Sequence, residues 1–376
     1  MDTIGDAAIS FDDQGVCNYC YTWDRRSKNF MFSGEVAEKE LKKIVAQIKH
    51  EGRNREYDCI MGVSGGVDST YVAYQAKRLG FRPLVIHFDN GWNSELSVKN
   101  IENIVKKLDF DLFTYVINWE EFKDLQLSYL KASVLDVEFP TDHAIVSVVY
   151  QLAHKHKIKY ILSGYNIATE GVLPESWRWT KMDLLNLKSI HKQFGKVKLK
   201  SFPMMGFWKG IYYQKIKKIE SIQLLNYLNY NKKEVKKIIT EELGWRDYGG
   251  KHYESIFTRF YQGYILPRKF NIDKRKAHLS SLICSGQMSK SEALIELKND
   301  IYDPEQLKVD KEFVLKKFGL SELEFNAIMN LPVRSHLDFD SYVTSHYKWH
   351  QSFFKKIRPL KSIYRFFFKS STPLPY

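Results

Sequence analysis

Short apolar runs alternate with amphipathic stretches in the first part of the chain. The apolar runs end at glycine or polar residues and predict four buried strands, at 57–63, 83–88, 112–117 and 160–163. Apolar residues at helical spacing predict helices at 35–50, 68–79, 94–108 and 142–155, with more helix reaching about residue 134. Such alternation is typical of the α/β class, with a doubly wound parallel sheet and helices on both faces.

Beyond about residue 195 the pattern becomes mostly helical, with segments at 232–243, 253–266, 289–297, 311–318 and 322–329. We therefore predict four regions along the chain. They are an irregular N-terminal segment with a cysteine pair (1–33), an α/β nucleotide-binding domain (34–230), a helical substrate- or partner-binding region (231–340) and a basic aromatic tail (341–376).

The first predicted strand ends in a glycine-rich loop, Ser64-Gly65-Gly66-Val67-Asp68-Ser69, which opens a helix. The two glycines permit positive φ and have no Cβ, so the backbone can wrap closely around an anion. The helix start offers unpaired N–H groups and the positive end of its dipole, and both serines add hydroxyl donors. Because ligands bind at the carboxyl ends of parallel strands, the loop predicts a phosphate site there.

The acidic residue of this loop, Asp68, would repel a phosphate that it touched directly. It is predicted either to cap the helix or to hold Mg²⁺ against the phosphates. The loop lacks the Gly-Lys-Ser/Thr ending of a Walker A motif and does not match G-x-G-x-x-G. An ordinary strand-to-helix turn is the alternative, and six matched positions between a strand and a helix disfavour it.

The loop resembles the pyrophosphate loop (PP-loop) of the ATP pyrophosphatases, which cleave ATP between its α and β phosphates and transfer AMP to a substrate oxygen. The resemblance implies ATP and Mg²⁺ as cofactors and identifies 34–230 as a PP-loop domain. It implies ATP contacts by the six loop residues and by His87, Phe88 and Gly164. We predict Asp89 and Glu170 as further Mg²⁺ ligands beside Asp68. The alternatives are a helix cap for Asp89 and a solvated loop position for Glu170.

Further segments resemble the bacterial N-acetyl sugar amidotransferases of lipopolysaccharide and surface-glycan biosynthesis, over residue 1 to about 340. They are FDDQGVCNYC (11–20), HFDNGWNSE (87–95), FPTDHA (139–144), SGYNIATEG (163–171) and the stretch 249–289. The resemblance implies that a nucleotide-linked N-acetyl sugar is converted to an acetamidino sugar. Ammonia would come from a separate glutaminase, with a cyclase-like subunit as its conduit.

The chain itself offers no recognisable glutaminase nucleophile. Residue 2 is Asp, where an N-terminal-nucleophile glutaminase needs Cys. Cys59 lies in a predicted buried strand, and Cys284 lies in a serine-rich segment without a nucleophile elbow. The residues therefore also predict a glutaminase partner.

The most family-like stretch begins with Lys251 and His252, which we predict to bind departing pyrophosphate or to polarise the amide. A basic cap without a special role is the alternative. Substrate contacts are predicted for Asp142, His143, Asn166 and Arg259. Helix capping by Asp142, a solvated Asn166 and a carboxylate partner for Arg259 are the alternatives. The charged run at 273–276 is interpreted as a solvated helix face.

Two cysteines, Cys17 and Cys20, have the spacing of a zinc knuckle, but structural zinc takes four ligands. Many relatives carry an earlier Cys-x-x-Cys just before the point at which this sequence begins. Cys284 or a histidine would have to complete the site here. Two free thiols are therefore preferred to zinc.

The net charge of +13 is unevenly distributed. No Asp or Glu follows Asp340, and the tail supplies seven cations, Lys348, Lys355, Lys356, Arg358, Lys361, Arg365 and Lys369. Nucleic-acid binding is therefore less favoured than the total charge suggests. The tail predicts peripheral contact with an anionic membrane, docking to partner subunits or packing on the body. Without a signal peptide, a long apolar run or a disulfide framework, a cytoplasmic protein is predicted.

An alternative function is a PP-loop enzyme that modifies tRNA, by thiolation or lysidine-type ligation. It would explain the basic tail and would give Cys17 and Cys20 a role in sulfur transfer. A nucleotide-binding scaffold without catalysis is a third possibility, which the intact loop disfavours.

Overall fold

Five parallel strands form the sheet in a computed structural model, which describes residues 1–250 and 253–344. They are β1 (Cys59–Gly62), β2 (Pro83–Asp89), β3 (Leu112–Val116), β4 (Tyr160–Ser163) and β5 (Glu220–Gln223). Their order is β3-β2-β1-β4-β5, and every pair is parallel. The predicted doubly wound α/β class is thus confirmed. The order reverses at β1, so the loops after β1 and β4 flank the crevice where such sheets bind ligands.

Helices cover the sheet and build the rest of the described chain. They are α1 (Asn18–Phe30), α2 (Gly34–Gly52), α3 (Val67–Arg78), α4 (Glu95–Leu108), α5 (Trp119–Ala132), α6 (Phe139–Lys155), α7 (Ile167–Glu170), α8 (Leu184–Phe194), α9 (Phe207–Ile211), α10 (Lys232–Leu243), α11 (Ile256–Phe260), α12 (Leu266–Phe270), α13 (Arg275–Cys284), α14 (Lys290–Glu296), α15 (Pro304–Phe318) and α16 (Glu322–Met329). Wider π-helical turns cover Tyr212–Ile216 and Tyr261–Ile265. Short 3₁₀ turns cover Glu175–Trp177, Leu224–Tyr227 and His336–Asp338.

Side chains of β1 alternate between two buried layers, which explains why this strand is apolar throughout. Cys59 and Met61 pack with α2, α3, α4 and α10 on one face. Ile60 packs on the other face with α6, including Val148. A strand buried on both faces is the expected centre of a doubly wound sheet.

A third core joins the helical region to the carboxyl ends of the strands. Trp92, which follows β2, is fully buried and stacks on Phe257 with ring centroids 5.2 Å apart. The Ile256 N–H donates to the Trp92 carbonyl at 2.8 Å, and the Ser94 N–H donates to the Glu254 carbonyl at 2.9 Å. The chain from Glu254 onward is therefore attached beside the predicted ligand-binding edge.

Two parts of the predicted secondary structure were wrong. The segment 1–33 is not irregular throughout, because α1 occupies Asn18–Phe30. β5 lies in a region predicted as helical, and its sequence, ESIQ, contains one apolar residue. An edge strand paired on one side only needs no continuous apolar run. The predicted tail beyond residue 344 lies outside the described residues, and the domain bounds stay predictions.

Two buried histidines make the folded state sensitive to acid. His143 and His336 are buried among aromatic rings, and burial lowers the pKa of each from 6.5 to about 4. Below pH 6.5 the unfolded chain binds protons that the folded chain excludes. Their contribution is therefore fully present above pH 6.5 and is lost as the pH falls toward 4, by at most about 1.4 kcal/mol per histidine and pH unit.

We expect the urea concentration at the unfolding midpoint to decrease as the pH is lowered from about 7 to about 5. We expect this decrease to be smaller in His143→Gln. His50→Gln, at an exposed position of α2, is the matched control and should leave the pH dependence unchanged. An unaltered pH dependence in His143→Gln would contradict the assignment.

Candidate active site

The glycine-rich loop is held by two elements that are distant in sequence. Gly65 has φ +77°, and a Cβ at this position would lie 2.5 Å from the Ser97 carbonyl oxygen on α4. The indole N–H of buried Trp245 donates to the Gly65 carbonyl at 2.9 Å, and the Asn100 amide approaches the same oxygen at 3.4 Å. The loop therefore requires glycine at this position for both conformation and space.

The serines organise the inside of the loop. The Gly66 N–H donates to Ser64 Oγ at 3.2 Å, and Ser69 Oγ donates to the Gly66 carbonyl at 3.2 Å. Thr70 Oγ1 donates to the same carbonyl at 2.6 Å. The Val67 N–H donates to the Tyr248 hydroxyl at 3.2 Å. The loop thus has a defined shape around the start of α3.

Asp68 is oriented by two side chains from other parts of the chain. The buried Tyr230 hydroxyl donates to Asp68 Oδ1, and the Asn166 amide donates to the same oxygen at 3.3 Å. Gly164, at the end of β4, lies close to this turn, because a Cβ there would be 3.2 Å from the Ser69 nitrogen. Its small size therefore serves the approach of β4 to α3.

Two cavities meet at the loop. The phosphate-side cavity, of about 450 Å³, is lined by Asp68, Gly164, Glu170, Lys232 and Tyr248 among others. The strand-end cavity, of about 440 Å³, is lined by His87, Phe88, Asp142, Val149 and Lys181 among others. Five residues line both cavities, namely Ser64, Ser69, Glu254, Gln262 and Lys274. We call the place where these five lie the junction.

The strand-end cavity has an apolar wall on one side and charged residues elsewhere in its lining, including Glu138, Arg178 and Lys181. Apolar residues of β2 and α6 form one wall, including Ile86, Ile145 and Val148. Burial lowers the pKa of His87, so this ring is neutral near pH 7; its Nδ1 lies 3.4 Å from the Val63 carbonyl. The predicted contacts at His87 and Phe88 therefore lie on a cavity that opens onto the loop.

Asp89 is not placed with the other predicted Mg²⁺ ligands. Its Oδ1 accepts from the Gly91 N–H at 2.8 Å and from the Asn93 amide at 3.2 Å, and it lines neither cavity. The helix-cap alternative is also wrong, because Ser94 caps α4. Asp89 shapes the turn after β2 instead.

Asp68 and Glu170 do line one cavity, and carboxylates together with substrate phosphates suit Mg²⁺. Among residues 1–250 and 253–344, no three His, Cys, Asp or Glu side chains form a cluster that could hold a metal. A Mg²⁺ ion arriving with ATP would take most of its ligands from phosphate and water.

The two predicted substrate residues on α6 have different outcomes. His143 Nδ1 lies 2.6 Å from the Lys181 carbonyl, and Nε2 accepts from the Met205 N–H at 3.2 Å, so the buried ring is structural. Asp142 is not the helix cap, because α6 begins at Phe139. Asp142 lines the strand-end cavity and pairs with Lys181 at 3.0 Å.

Two other predicted substrate residues are also committed to protein partners. Buried Asn166 accepts from the Thr169 N–H at 2.9 Å and orients Asp68. Arg259 makes a bidentate ion pair with buried Asp310, at 2.6 and 2.9 Å, and lines neither cavity. A direct substrate contact by either residue is therefore not supported.

The remaining predictions concern cysteines and the second glycine-rich segment. Cys17 Sγ lies 3.3 Å from Cys20 Sγ, and both thiols are unbridged. Burial raises the pKa of Cys284 to about 12, and the neighbouring Cys20 adds to this shift. The preference for free thiols over a zinc site stays a prediction. Lys251 and His252 lie outside the described residues.

Sequence inspection missed several residues of the site. Trp245, Tyr230 and Tyr248 lie far from the loop in sequence and carry no local motif. Gln262 and Lys274 were also missed, and the charged run at 273–276 is not the solvated helix face that we predicted. Within it, Arg275 bonds to Asp273 and to the Asn299 carbonyl.

Comparisons with known families match two separate parts of the chain, and each part contributes residues to the site. Residues 58–174, which contain the loop, match the family model described as "Queuosine biosynthesis protein QueC". Residues 254–358 match the model "LPS biosynthesis protein WbpG-like, C-terminal domain", and this stretch contains Glu254, Gln262 and Lys274. The predicted resemblance is thus confirmed in both parts of the chain. No curated protein sequence matches the chain.

Solved structures show similarity over long stretches at low identity. An NH3-dependent NAD synthetase from Campylobacter jejuni in complex with nitrate is 14% identical, covering 76% of this chain and 97% of that chain, with a TM-score of 0.30. An NMN synthetase from Francisella tularensis is 12% identical, covering 77% and 98%, with a TM-score of 0.32. A predicted tRNA methyltransferase subunit from Methanocaldococcus jannaschii is 17% identical, covering 49% and 76%, with a TM-score of 0.28. At these TM-scores they add nothing to the fold described above.

The contact between Gly65 and Ser97 can be tested by adding one methyl group. We expect Gly65→Ala to lower the free energy of unfolding by about 1–3 kcal/mol, because it adds both a strained φ and a collision. Gly286→Ala is the matched control, since Gly286 has φ +70° with nothing within 4 Å of an added Cβ. Urea unfolding of both variants separates collision from strain; equal losses would show that the close approach does not matter.

Proposed function

We propose that this PP-loop ATP pyrophosphatase-like protein, with its WbpG-like C-terminal domain, is an ATP-dependent N-acetyl sugar amidotransferase. It would act on a nucleotide-linked sugar for lipopolysaccharide or surface-glycan biosynthesis. The observation that carries the proposal is the junction, where the PP-loop and the WbpG-like segment line both cavities together. Two substrates held on the two sides of one phosphate loop is the arrangement that AMP transfer requires.

The chemistry begins with an amide, whose carbonyl is a poor electrophile and whose oxygen is a poor leaving group. The acetamido oxygen attacks the α-phosphorus of ATP, forming an O–P bond while the α–β anhydride bond breaks and pyrophosphate leaves. Ammonia then adds to the activated carbon, a proton is lost and the C–O bond breaks to release AMP. The products are the acetamidino sugar, AMP and pyrophosphate.

The residues of the chain would divide this work. The strand-end cavity takes adenosine against the apolar wall of β2 and α6. The loop N–H groups and the hydroxyls of Ser64 and Ser69 bind the phosphates. Asp68 and Glu170 would help to hold the Mg²⁺ that neutralises phosphate charge, and the phosphate-side cavity takes the sugar.

The ammonia supply is part of the same proposal. A separate glutaminase and a cyclase-like subunit would deliver it to the phosphate-side cavity. No helix in the described part of the chain is both long and apolar enough to cross a membrane. Contact of the basic tail with a membrane surface, and a cytoplasmic location, remain proposals.

A second candidate, an enzyme of tRNA modification, is favoured by one observation. The model matched by residues 58–174 is named for queuosine biosynthesis. The WbpG-like match of the C-terminal domain favours the sugar instead. Pyrophosphate release from Mg-ATP and ammonium, measured with UDP-linked N-acetyl sugars or with tRNA, separates the two. Release that depends on tRNA alone would refute the sugar proposal.

We expect Asp68→Asn to lower sugar-dependent pyrophosphate release by about 100-fold or more, because a neutral amide cannot hold Mg²⁺ in the same way. The fold should persist, since the substitution keeps the size of the side chain that meets Tyr230. Circular dichroism checks this, and Asp300→Asn at an exposed position is the control. Near-normal turnover would exclude the Mg²⁺ role.

We also expect the isolated chain to use ammonium but not glutamine as its nitrogen source. The measurement is acetamidino-sugar formation with each nitrogen source at saturating ATP. Addition of the glutaminase subunit should make glutamine effective. Efficient use of glutamine by the chain alone would contradict the proposed division of labour.

A further inference from the structure

Gln262 occupies an unusual place in the helix that runs from Ile256 to Phe270. The helix is widened into a π turn at Tyr261–Ile265, a feature frequently found at functional sites. Tyr302 packs against the turn, where a Cβ on Gly263 would lie 2.6 Å from its ring. Gln262, which precedes Gly263 in this turn, lies at the junction.

Gln262 as a whole residue is 8% exposed, and it lines both cavities. Within residues 1–250 and 253–344 its amide makes no hydrogen bond. Because the amide atoms keep contact with solvent through the two cavities, a ligand bound there can replace that water as their hydrogen-bond partner. A ligand that occupied either cavity could therefore reach this side chain.

Lys274, which precedes α13, is the second junction side chain without a hydrogen-bond partner among the described residues. It is half-buried, lines both cavities, and makes no hydrogen bond or ion pair with any described residue. Burial lowers the pKa of its ammonium, while Glu138, Asp136 and Asp142 oppose that shift. A cation partly removed from water favours an anionic ligand.

Neighbouring cations differ from Lys274 because each of them pairs with a carboxylate. Lys181 is buried between Asp136 and Asp142, and Arg275 is committed to Asp273. Lys276 pairs with Asp2 and lines neither cavity. Lys274 is therefore the cation at the junction, and it forms no ion pair with a described residue.

We propose that Lys274 and Gln262 form the site of the reacting groups, with Lys274 on the α-phosphate of ATP and Gln262 on the acceptor amide. Lys274 neutralises charge on the α-phosphate while the α–β anhydride bond breaks. Gln262 Oε1 accepts the acetamido N–H, which leaves the amide oxygen facing phosphorus as the nucleophile. This inference rests on the proposed function for the identity of the acceptor.

The role of Lys274 is tested by calorimetric binding of adenosine, AMP and α,β-methylene-ATP to the full chain. We expect Lys274→Met to weaken AMP and the ATP analogue by about ten-fold or more, with adenosine unchanged. Lys274→Arg should restore most of the loss, and Lys276→Met should bind all three ligands like the wild type. Equal weakening of adenosine and AMP, or no weakening at all, overturns the assignment.

The role of Gln262 is tested by kinetics with the acceptor sugar. Gln262→Leu should lower sugar-dependent pyrophosphate release by about ten-fold or more, while the affinity for α,β-methylene-ATP changes less than about two-fold. Gln262→Glu, which keeps an acceptor oxygen, should retain more activity than Gln262→Leu. A normal rate in Gln262→Leu, or an equal loss of nucleotide affinity, contradicts the role.

These two measurements also separate this inference from the proposed function. If the sugar is the wrong acceptor, the wild type releases no sugar-dependent pyrophosphate, and the Gln262 assignment falls with the function. The nucleotide-binding pattern of Lys274→Met would be unaffected. If the sugar is correct and Lys274→Met binds every nucleotide normally, the function stands and the Lys274 assignment falls.

Discussion

The carbonyl of Gly65 is the point at which the two parts of this chain are joined around a phosphate loop. Trp245 donates to it from beyond α10, and Asn100 approaches it from α4 while also accepting from the Arg246 N–H at 2.9 Å. Because Gly65 also has positive φ against Ser97, the loop has little room to move without breaking these contacts. A loop fixed in this way keeps the hydroxyls of Ser64 and Ser69 together beside the start of α3, 3.3 Å apart, and preorganised donors are what stabilisation of phosphate charge requires.

Local sequence patterns explain which parts of the structure could be predicted and which could not. β1, β2 and β4 were recognisable because strands inside a parallel sheet are apolar along their length, and the loop after β1 follows a local motif. β3 lies at an edge and is mostly exposed, but its sequence, LFTYV, is rich in aromatic and β-branched residues. β5 could not be recognised, since ESIQ contains one apolar residue and its place in the sheet depends on pairing with β4. Trp245 and Tyr248 could not be assigned to the loop either, because tertiary contact alone brings them there.

Polar residues near the site divide into two groups that only the structure distinguishes. His143, Asn166 and Arg259 were predicted from their types and neighbourhood, yet each satisfies its hydrogen-bonding groups within the protein. Gln262 and Lys274 carry no motif, and Lys274 belongs to a run typical of a solvated helix. What distinguishes Gln262 and Lys274 is their position on both cavities without a hydrogen bond or ion pair to a described residue, rather than their residue type.

The junction also gives a physical reason for joining a WbpG-like domain to a PP-loop domain. Ser64 and Ser69 come from the segment that matches one family model, and Glu254, Gln262 and Lys274 come from the segment that matches the other. A phosphate loop alone can hold ATP, but transfer of AMP needs an acceptor on the opposite side of the α-phosphorus. Under the proposed function, a change at Gln262 should therefore alter the use of the acceptor with little effect on nucleotide binding, whereas a change at Lys274 should alter nucleotide binding itself.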